Sequence, residues 1–281
     1  MKKKIAILTE NDQKSGSGHF MRMRGLNLYL KKKKLNCKIF LLNRNNDLRL
    51  IKKYDPKLIV CDLRYYGKRE YLSLFRNKSY KIINIENYDN SNYDLNISVI
   101  DHNKRLSGKR IKGLNFSMIR SEIKKKFFKK DKNLIFVNLG SKESLKKIKE
   151  ISISLRSLSA NFKFVIITKF SKHFNDINTN NRFKYYSSQF FLKYFKSSMI
   201  SIINGGLTLV EALYLKKKII IIPQTRYEKK FSEYLKKRIN TINIGTKSIN
   251  NNSINKLISK KNKVIIDGFG YNRIYKVLSK F

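Results

Sequence analysis

"KKKIAILTENDQKSGSGHFMRMRG" (residues 2–25) passes from a short apolar run into a turn holding two glycines and one of the chain's three histidines, then into a helical pattern. The run "IAIL" is short and bounded by polar residues, which reads as a strand. The stretch "FMRMRGLNLYLKKKK" (20–34) spaces its apolar residues as one face of a helix does. A strand, a glycine turn and a helix open a parallel α/β unit, and such units bind ligands beyond the carboxyl ends of their strands. Gly16 and Gly18 let the backbone approach a ligand closely, and the helix start favours negative charge. His19, in the first turn, feels the positive end of the helix dipole, which favours the neutral imidazole a general base needs. The same residues also read as a plain polar helix start, and a lone G-x-G does not decide between the two.

Outward from this stretch the pattern repeats. "KIAILTE" (4–10), "CKIFLL" (37–42), "KLIVCD" (57–62), "KIINIE" (81–86) and "LNISVI" (95–100) are short, branched and apolar, with amphipathic stretches between them. Strands apolar on both faces that alternate with helices imply a parallel sheet covered on both sides. "SEIKKKFFKKDKN" (121–133) lacks a buriable periodicity and reads as a linker. The alternation restarts with "LIFVNLG" (134–140), "KFVIIT" (163–168), "MISIIN" (199–204), "KIIIIP" (218–223) and "TINIG" (241–245). The expected organisation is α/β: two Rossmann-like domains, 1–122 and 134–281, joined by a linker over 123–133, their parallel sheets facing across a cleft. A chain of 281 residues is long enough for two such cores.

Composition narrows the function classes. A formal net charge of +44 suggests a partner of nucleic acid or anionic membrane. Yet short lysine runs such as "KKKK" (31–34) recur along the whole chain rather than forming one arm, while Pro (2) and Trp (0) nearly vanish beside abundant Lys, Asn, Ile, Phe and Tyr. This skew reads as a codon bias towards A/T-rich triplets and the lysines as solvated surface, so nucleic acid is not the expected partner. No apolar stretch is long enough for a membrane span, and the amino-terminal run is too short for a signal-peptide core, so the expected compartment is the cytoplasm. Cys37 and Cys61 lie in strand-like segments without metal-ligand spacing and read as buried thiols. No H-x-x-x-H, D-x-D or Cys/His cluster occurs, so neither a metal nor a cofactor is expected, and His102 and His173 read as surface or loop residues.

A second segment carries chemistry. In "IINGGLTLVEALYLKKKIIIIP" (202–223) a strand ends in Asn204-Gly205-Gly206, a helix follows from about Thr208, and the next strand closes at Pro223. Two glycines before a helix start form a pyrophosphate cradle. Thr208 and Glu211 have capping-box spacing. Glu211 either closes that box or accepts hydrogen bonds from a ribose diol, and spacing does not separate these readings.

"GSGHFMR" (16–22) resembles the G-x-G-H-x-x-R signature of the PseG/SpsG family of UDP-sugar hydrolases and their relatives in surface-polysaccharide synthesis. The likeness continues collinearly through "CDLRYYGKREYL" (61–72), "GLNFSMIRSE" (113–122), "IPQTRYEKKF" (222–231) and "IDGFGYNRI" (266–274). "INGGLTLVEAL" (203–213) resembles the G-G-x-T-x-x-E segment of the wider GT-B glycosyltransferases, the MurG type included. The resemblance implies a GT-B-like fold, with UDP on the second domain and the sugar reaching the first. It implies cleavage of a UDP-linked diacetamido-trideoxy sugar at C1, in nonulosonic acid or surface-polysaccharide synthesis, with a GT-B glycosyltransferase or a hydrolysing 2-epimerase as alternatives. His19 matches the family's catalytic histidine, Arg22 its companion in the signature, and Gly205, Gly206, Thr208 and Glu211 the nucleotide segment. Asp62, Gln224, Glu228 and Asn272 end strands or open loops on the expected side, as site residues or as caps. Three places depart from the family: Ile85-Glu86 stands for paired aspartates, "LGSKES" (139–144) for "GGSDP", and Tyr227 for a histidine.

Overall fold

The computed structural model describes residues 3–10, 17–42, 47–63, 80–86, 93–99, 109–125, 128–177, 182–261 and 266–281. Gly16, His102 and most of "CDLRYYGKREYL" lie outside the described residues. The chain divides into two compact units, Met1–Ser121 with Ile266–Phe281, and Glu122–Ile265.

In the first unit the strands are β1 (Lys4–Thr9), β2 (Asn36–Leu41), β3 (Leu58–Asp62), β4 (Lys81–Ile85), β5 (Leu95–Ser98) and β6 (Lys109–Lys112), with helices α1 (Ser17–Lys32) and α2 (Asp47–Tyr54). All pair in parallel, in the order β2-β1-β3-β4-β5-β6. Side chains alternate across the sheet. Ile5, Ile7, Val60 and Ile83 pack on Met23, Leu26 and Leu30 of α1. Ala6, Leu8, Ile59 and Cys61 pack on Phe40 and Ile51 from the opposite face. Both cysteines are buried and free, as their strand-like settings imply.

A one-turn helix, α3 (Ser121–Lys124), leads into the second unit, and its Ile123 is buried. There follow β7 (Asp131–Asn138), α4 (Leu145–Arg156), β8 (Lys163–Ile167), β9 (Phe183–Tyr186), α5 (Phe191–Ser197), β10 (Ser198–Ile203), α6 (Leu207–Tyr214), β11 (Lys218–Ile221), α7 (Arg226–Lys236), β12 (Ile242–Ile244) and α8 (Asn251–Ser259). This sheet is also parallel throughout, ordered β12-β11-β10-β7-β8-β9. Ile135, Val137, Phe164, Ile200 and Ile220 form its core with Ile148, Ile151 and Leu155 of α4 and Ile254 and Leu257 of α8. Among the described residues no helix is long and apolar enough to cross a membrane.

The structure thus has the expected α/β architecture with two parallel sheets, and it moves the boundaries. The stretch 123–133 is not a plain linker: Ile123 is buried and β7 already starts at Asp131. The chain's end does not belong to the second unit. Helix α9 (Gly270–Leu278) buries Tyr271, Ile274 and Leu278 in the first unit's core, because its apolar positions recur at helical spacing. Its start fits only as glycine. A Cβ on Gly270 would stand 2.1 Å from the Ser117 carbonyl oxygen and 2.9 Å from that of Phe116. Arg273 holds the same junction by donating to the Asn115 carbonyl and to Asp267.

Helix propensity alone would make Gly270→Ala stabilising by about 1 kcal/mol. Crowding against main chain reverses the sign. The variant is expected to lose about 1–3 kcal/mol, read as a fall in Tm of roughly 5 °C or more in thermal unfolding. An unchanged or raised Tm would contradict this packing.

Candidate functional site

Each sheet adds strands in one direction, returns, and continues on the other side of its first strand. In the first unit β2 lies on one side of β1 and β3 on the other. In the second, β8 lies on one side of β7 and β10 on the other. At such a reversal the two outgoing loops diverge and leave a crevice at the carboxyl ends, the usual ligand position in open α/β sheets.

At the first reversal stand α1, which follows β1, and Asp62, the last residue of β3. His19 and Arg22 lie three apart on α1 and so share a face. His19 Nδ1 stands 2.5 Å from Asp62 Oδ1, Arg22 Nη2 donates to the same oxygen at 2.7 Å, and Arg22 Nε donates to Asp62 Oδ2. His19 and Asp62 are buried, at 4% and 1% exposure. Burial alone would raise the Asp62 carboxyl, but the Arg22 charge and the hydrogen bonds donated by His19 and Arg22 outweigh it and hold the group well below the usual carboxylate range. Facing an ionised oxygen, Nδ1 must carry the imidazole proton. The 3.1 Å approach of Arg22 Nη2 to Nδ1 is then donor against donor and not a hydrogen bond. The tautomer so fixed has its lone pair on Nε2. Thr9, opposite Asp62 in the β1–β3 register, is fully buried, and its Oγ1 has no hydrogen-bond partner among the described residues. Gly18 lies in the first turn of α1.

At the second reversal Asn204-Gly205-Gly206 joins β10 to α6. Gly206 caps α6 without a side-chain bond, so Thr208 falls inside the helix and the expected Thr208–Glu211 capping box does not form. Glu211 is fully buried. A side-chain cap stands instead at α7: Thr225 Oγ1 accepts the Glu228 amide at 3.1 Å. The Glu228 carboxylate takes the Asn204 side-chain amide on Oε1 (2.8 Å) and the Gln224 amide on Oε2 (2.6 Å). It therefore ties together the loops leaving β10 and β11. A Cβ on Gly205 would meet Glu228 Cβ at 2.7 Å and its carbonyl oxygen at 2.9 Å, so this glycine is required by close approach of α7.

Of the residues singled out in the sequence, His19, Arg22 and Asp62 come together in one unit, and Gly205, Gly206, Gln224 and Glu228 in the other. Asn272 is engaged elsewhere: it accepts from the Tyr29 hydroxyl (3.1 Å) in the contact between α9 and α1. Tyr29 lies about 15 Å along α1 from His19 at the helical rise. His173 is exposed in a short 3₁₀ turn. Glu143, buried in the loop after β7, has no role legible in the sequence, since a glutamate in a lysine-rich loop looks like solvated surface. Among the described residues no three His, Cys, Asp or Glu side chains gather as a metal site.

No protein-family profile matches the sequence, and no curated relative does. Solved structures match its fold along the whole chain. S. aureus MnaA, in a co-structure with UDP, is 13% identical with a TM-score of 0.66 over 99% of this chain and 96% of its own. Acinetobacter baumannii MurG is 10% identical with a TM-score of 0.65 over 100% of both chains. Methanocaldococcus jannaschii UDP-GlcNAc 2-epimerase, in complex with UDP-GlcNAc and UDP, is 11% identical with a TM-score of 0.63, again over 100% of both. The class these define is the GT-B fold, and the chain has it.

Asp62 contributes stability through its depressed ionisation. That contribution is fully present above the ordinary carboxylate value near 3.9 and is lost as pH falls towards the folded one. Removing one partner of a buried pair costs about 3 kcal/mol or more. Asp62→Asn is therefore expected to unfold more easily at pH 7, with the gap to wild type narrowing below about pH 4. Denaturant midpoints measured from pH 3 to 7 check this; a constant gap would contradict it.

Proposed function

We propose that this chain is a nucleotide-sugar-processing enzyme, and specifically a hydrolase of the PseG/SpsG type acting on a UDP-linked diacetamido-trideoxy sugar. The observation that carries the reading is the His19–Asp62–Arg22 constellation at the first sheet's reversal. Asp62 holds the imidazole in the tautomer whose Nε2 can accept a proton, and Arg22 compensates the carboxylate. This is the arrangement of an oriented general base. The Gly205-Gly206 start of α6, at the second sheet's reversal, suits a pyrophosphate. Thr208 and Glu211 on that helix are the proposed companions for the nucleotide, with Gln224 and Glu228 shaping the adjoining loop.

In the proposed step, water attacks C1 of the sugar and the bond from C1 to the β-phosphate oxygen breaks. UDP leaves with the bonding pair, and Nε2 of His19 takes the proton lost by the water. The transition state has oxocarbenium character. A nucleoside diphosphate is a good leaving group, so electrostatic stabilisation of its growing charge takes the place of an acid.

The same base can deprotonate an acceptor hydroxyl, which is the second reading, and the likeness to MurG supports it. UDP release from a panel of UDP-amino-deoxy sugars, with no acceptor added, separates the two. Wild type is expected to release UDP and free sugar, and His19→Ala to lose at least about a hundredfold in kcat. UDP binding without release would replace the hydrolase by a transferase. A product inverted at C2, seen by NMR, would replace it by an epimerase.

A further inference from the structure

The loop after β7 (residues 139–144) is one of the three places where the sequence departs from the family pattern, and it holds a buried acid. Glu143 is 6% exposed. Its amide donates to the Gly140 carbonyl (3.2 Å), closing a turn on a glycine with φ +76°. Its carboxyl Oε1 accepts two hydrogen bonds from the end of β8: the Thr168 hydroxyl at 2.8 Å and the Lys169 amide at 2.7 Å. Thr168 Oγ1 in turn accepts the Phe170 amide (3.1 Å), which leaves its proton directed at Glu143. Lys169 Nζ reaches back to the Ser141 carbonyl (3.3 Å). The loop is thus pinned to β8 from both sides.

On its other side the loop abuts the glycine turn. A Cβ on Gly140 would stand 3.1 Å from the Asn204 side-chain amide. That amide is itself held by Glu228. A continuous run of contacts therefore links the carboxyl ends of β8, β7, β10 and β11. Within it, Glu143 Oε2 is buried and has no hydrogen-bond partner among the described residues. A full charge shared onto that oxygen has no donor to compensate it, whereas the acceptor Oε1 is fully used.

We propose that Glu143 is a positioning residue of the second unit's ligand site, which pins the loop after β7 against the Asn204–Gly206 turn through its Oε1 acceptor alone, so that its charge is dispensable. The ligand class is a nucleoside diphosphate, and in this the inference rests on the function proposed above. Burial pushes the Glu143 carboxyl up, ahead of the lowering from the Lys169 amide, the Thr168 hydroxyl and the Lys169 charge, in keeping with an oxygen that works as a neutral acceptor.

Three variants of the full chain test it: Glu143→Gln keeps the acceptor and removes the charge, Glu143→Ala removes both, and Thr168→Val removes one donor. Hydrogen exchange without ligand reads the pinning. Exchange over residues 139–144 is expected to rise at least about tenfold in Glu143→Ala and Thr168→Val, and to stay within about threefold of wild type in Glu143→Gln. UDP affinity by calorimetry is expected to follow the same order, about tenfold weaker for Glu143→Ala and nearly unchanged for Glu143→Gln. In UDP release, Glu143→Ala should raise KM while leaving kcat within about threefold, since uniform binding is what it weakens. Unchanged exchange in Glu143→Ala would overturn the pinning. A Glu143→Gln variant as impaired as Glu143→Ala would overturn the dispensable charge. Wild type that binds no UDP would overturn the nucleotide reading and the ligand half of this one, while exchange alone decides the pinning.

Discussion

Parallel strands cannot be joined by hairpins; each must return across a face of the sheet through a longer crossover, usually a helix. That constraint puts every outgoing loop of a sheet on the same edge and covers both faces with apolar residues. It leaves one opening per sheet, where the direction of strand addition reverses. In this chain the reversals fall between β1 and β3 and between β7 and β10. The polar constellations described above sit at these two places. Gly205 shows how closely the loops must then pass, since a single Cβ there would strike the main chain of α7.

A carboxylate as buried as Asp62 is stable only if its charge is answered locally. The answer comes from α1, whose residues 19 and 22 face the same way. The orientation of the imidazole therefore depends on Asp62, the ionisation of Asp62 depends on Arg22, and both depend on where α1 lies. The last is set from the far end of the chain. The Tyr271 hydroxyl donates to the Arg22 carbonyl at 3.3 Å, and a Cβ on Gly25 would stand 2.0 Å from that hydroxyl. The carboxy-terminal helix is thus part of the support of the amino-terminal site, and "IDGFGYNRI" and "GLNFSMIRSE" answer each other through Gly270 against Ser117.

Much of this is legible in the amino-acid sequence. Ten of the strands are apolar runs, because a strand covered on both faces must be. The two without such a run, β6 and β9, are each one of the two outer strands of their sheet. An edge strand needs backbone pairing on one side only, so "KRIK", with three exposed lysine and arginine side chains, forms β6 without an apolar signal. His19 and Arg22 are visible from their turn and spacing. Asp62 is visible only as a strand end, since spacing cannot say which helix a strand's last residue will meet. The cap expected at Thr208 is absent for a physical reason: capping spacing is a local pattern, and Gly206, one residue before Leu207, already caps α6 and leaves Thr208 inside the helix. The return of α9 to the first unit is hidden because an amphipathic helix states that it is covered, not by what.

The charge balance acquires a meaning from these placements. The chain has 63 Lys and Arg against 19 Asp and Glu, so most cations have no carboxylate to pair with. Several turn to backbone carbonyls instead: Lys130 donates to Leu215 and Lys169 to Ser141. Some of the scarce acids meet surface lysines, as Asp94 meets Lys81 and Glu150 meets Lys147, but others are withdrawn from the surface. Glu10, Asp62, Glu86, Glu143, Glu211 and Glu228 are all buried. Each lies at the end of a strand, in the loop leaving it, or in the first two turns of the helix that follows. A basic surface draws a phosphorylated ligand in by long-range attraction. A lysine ammonium has three donors and no acceptor, so it cannot receive a hydrogen bond from a hydroxyl or an amide N–H. The buried carboxyls supply acceptors at the carboxyl ends of the strands, where those of Asp62, Glu143 and Glu228 take hydrogen bonds from neighbouring protein groups. They brace the loops that leave the strands, a task for acceptors that a lysine, with donors only, cannot perform.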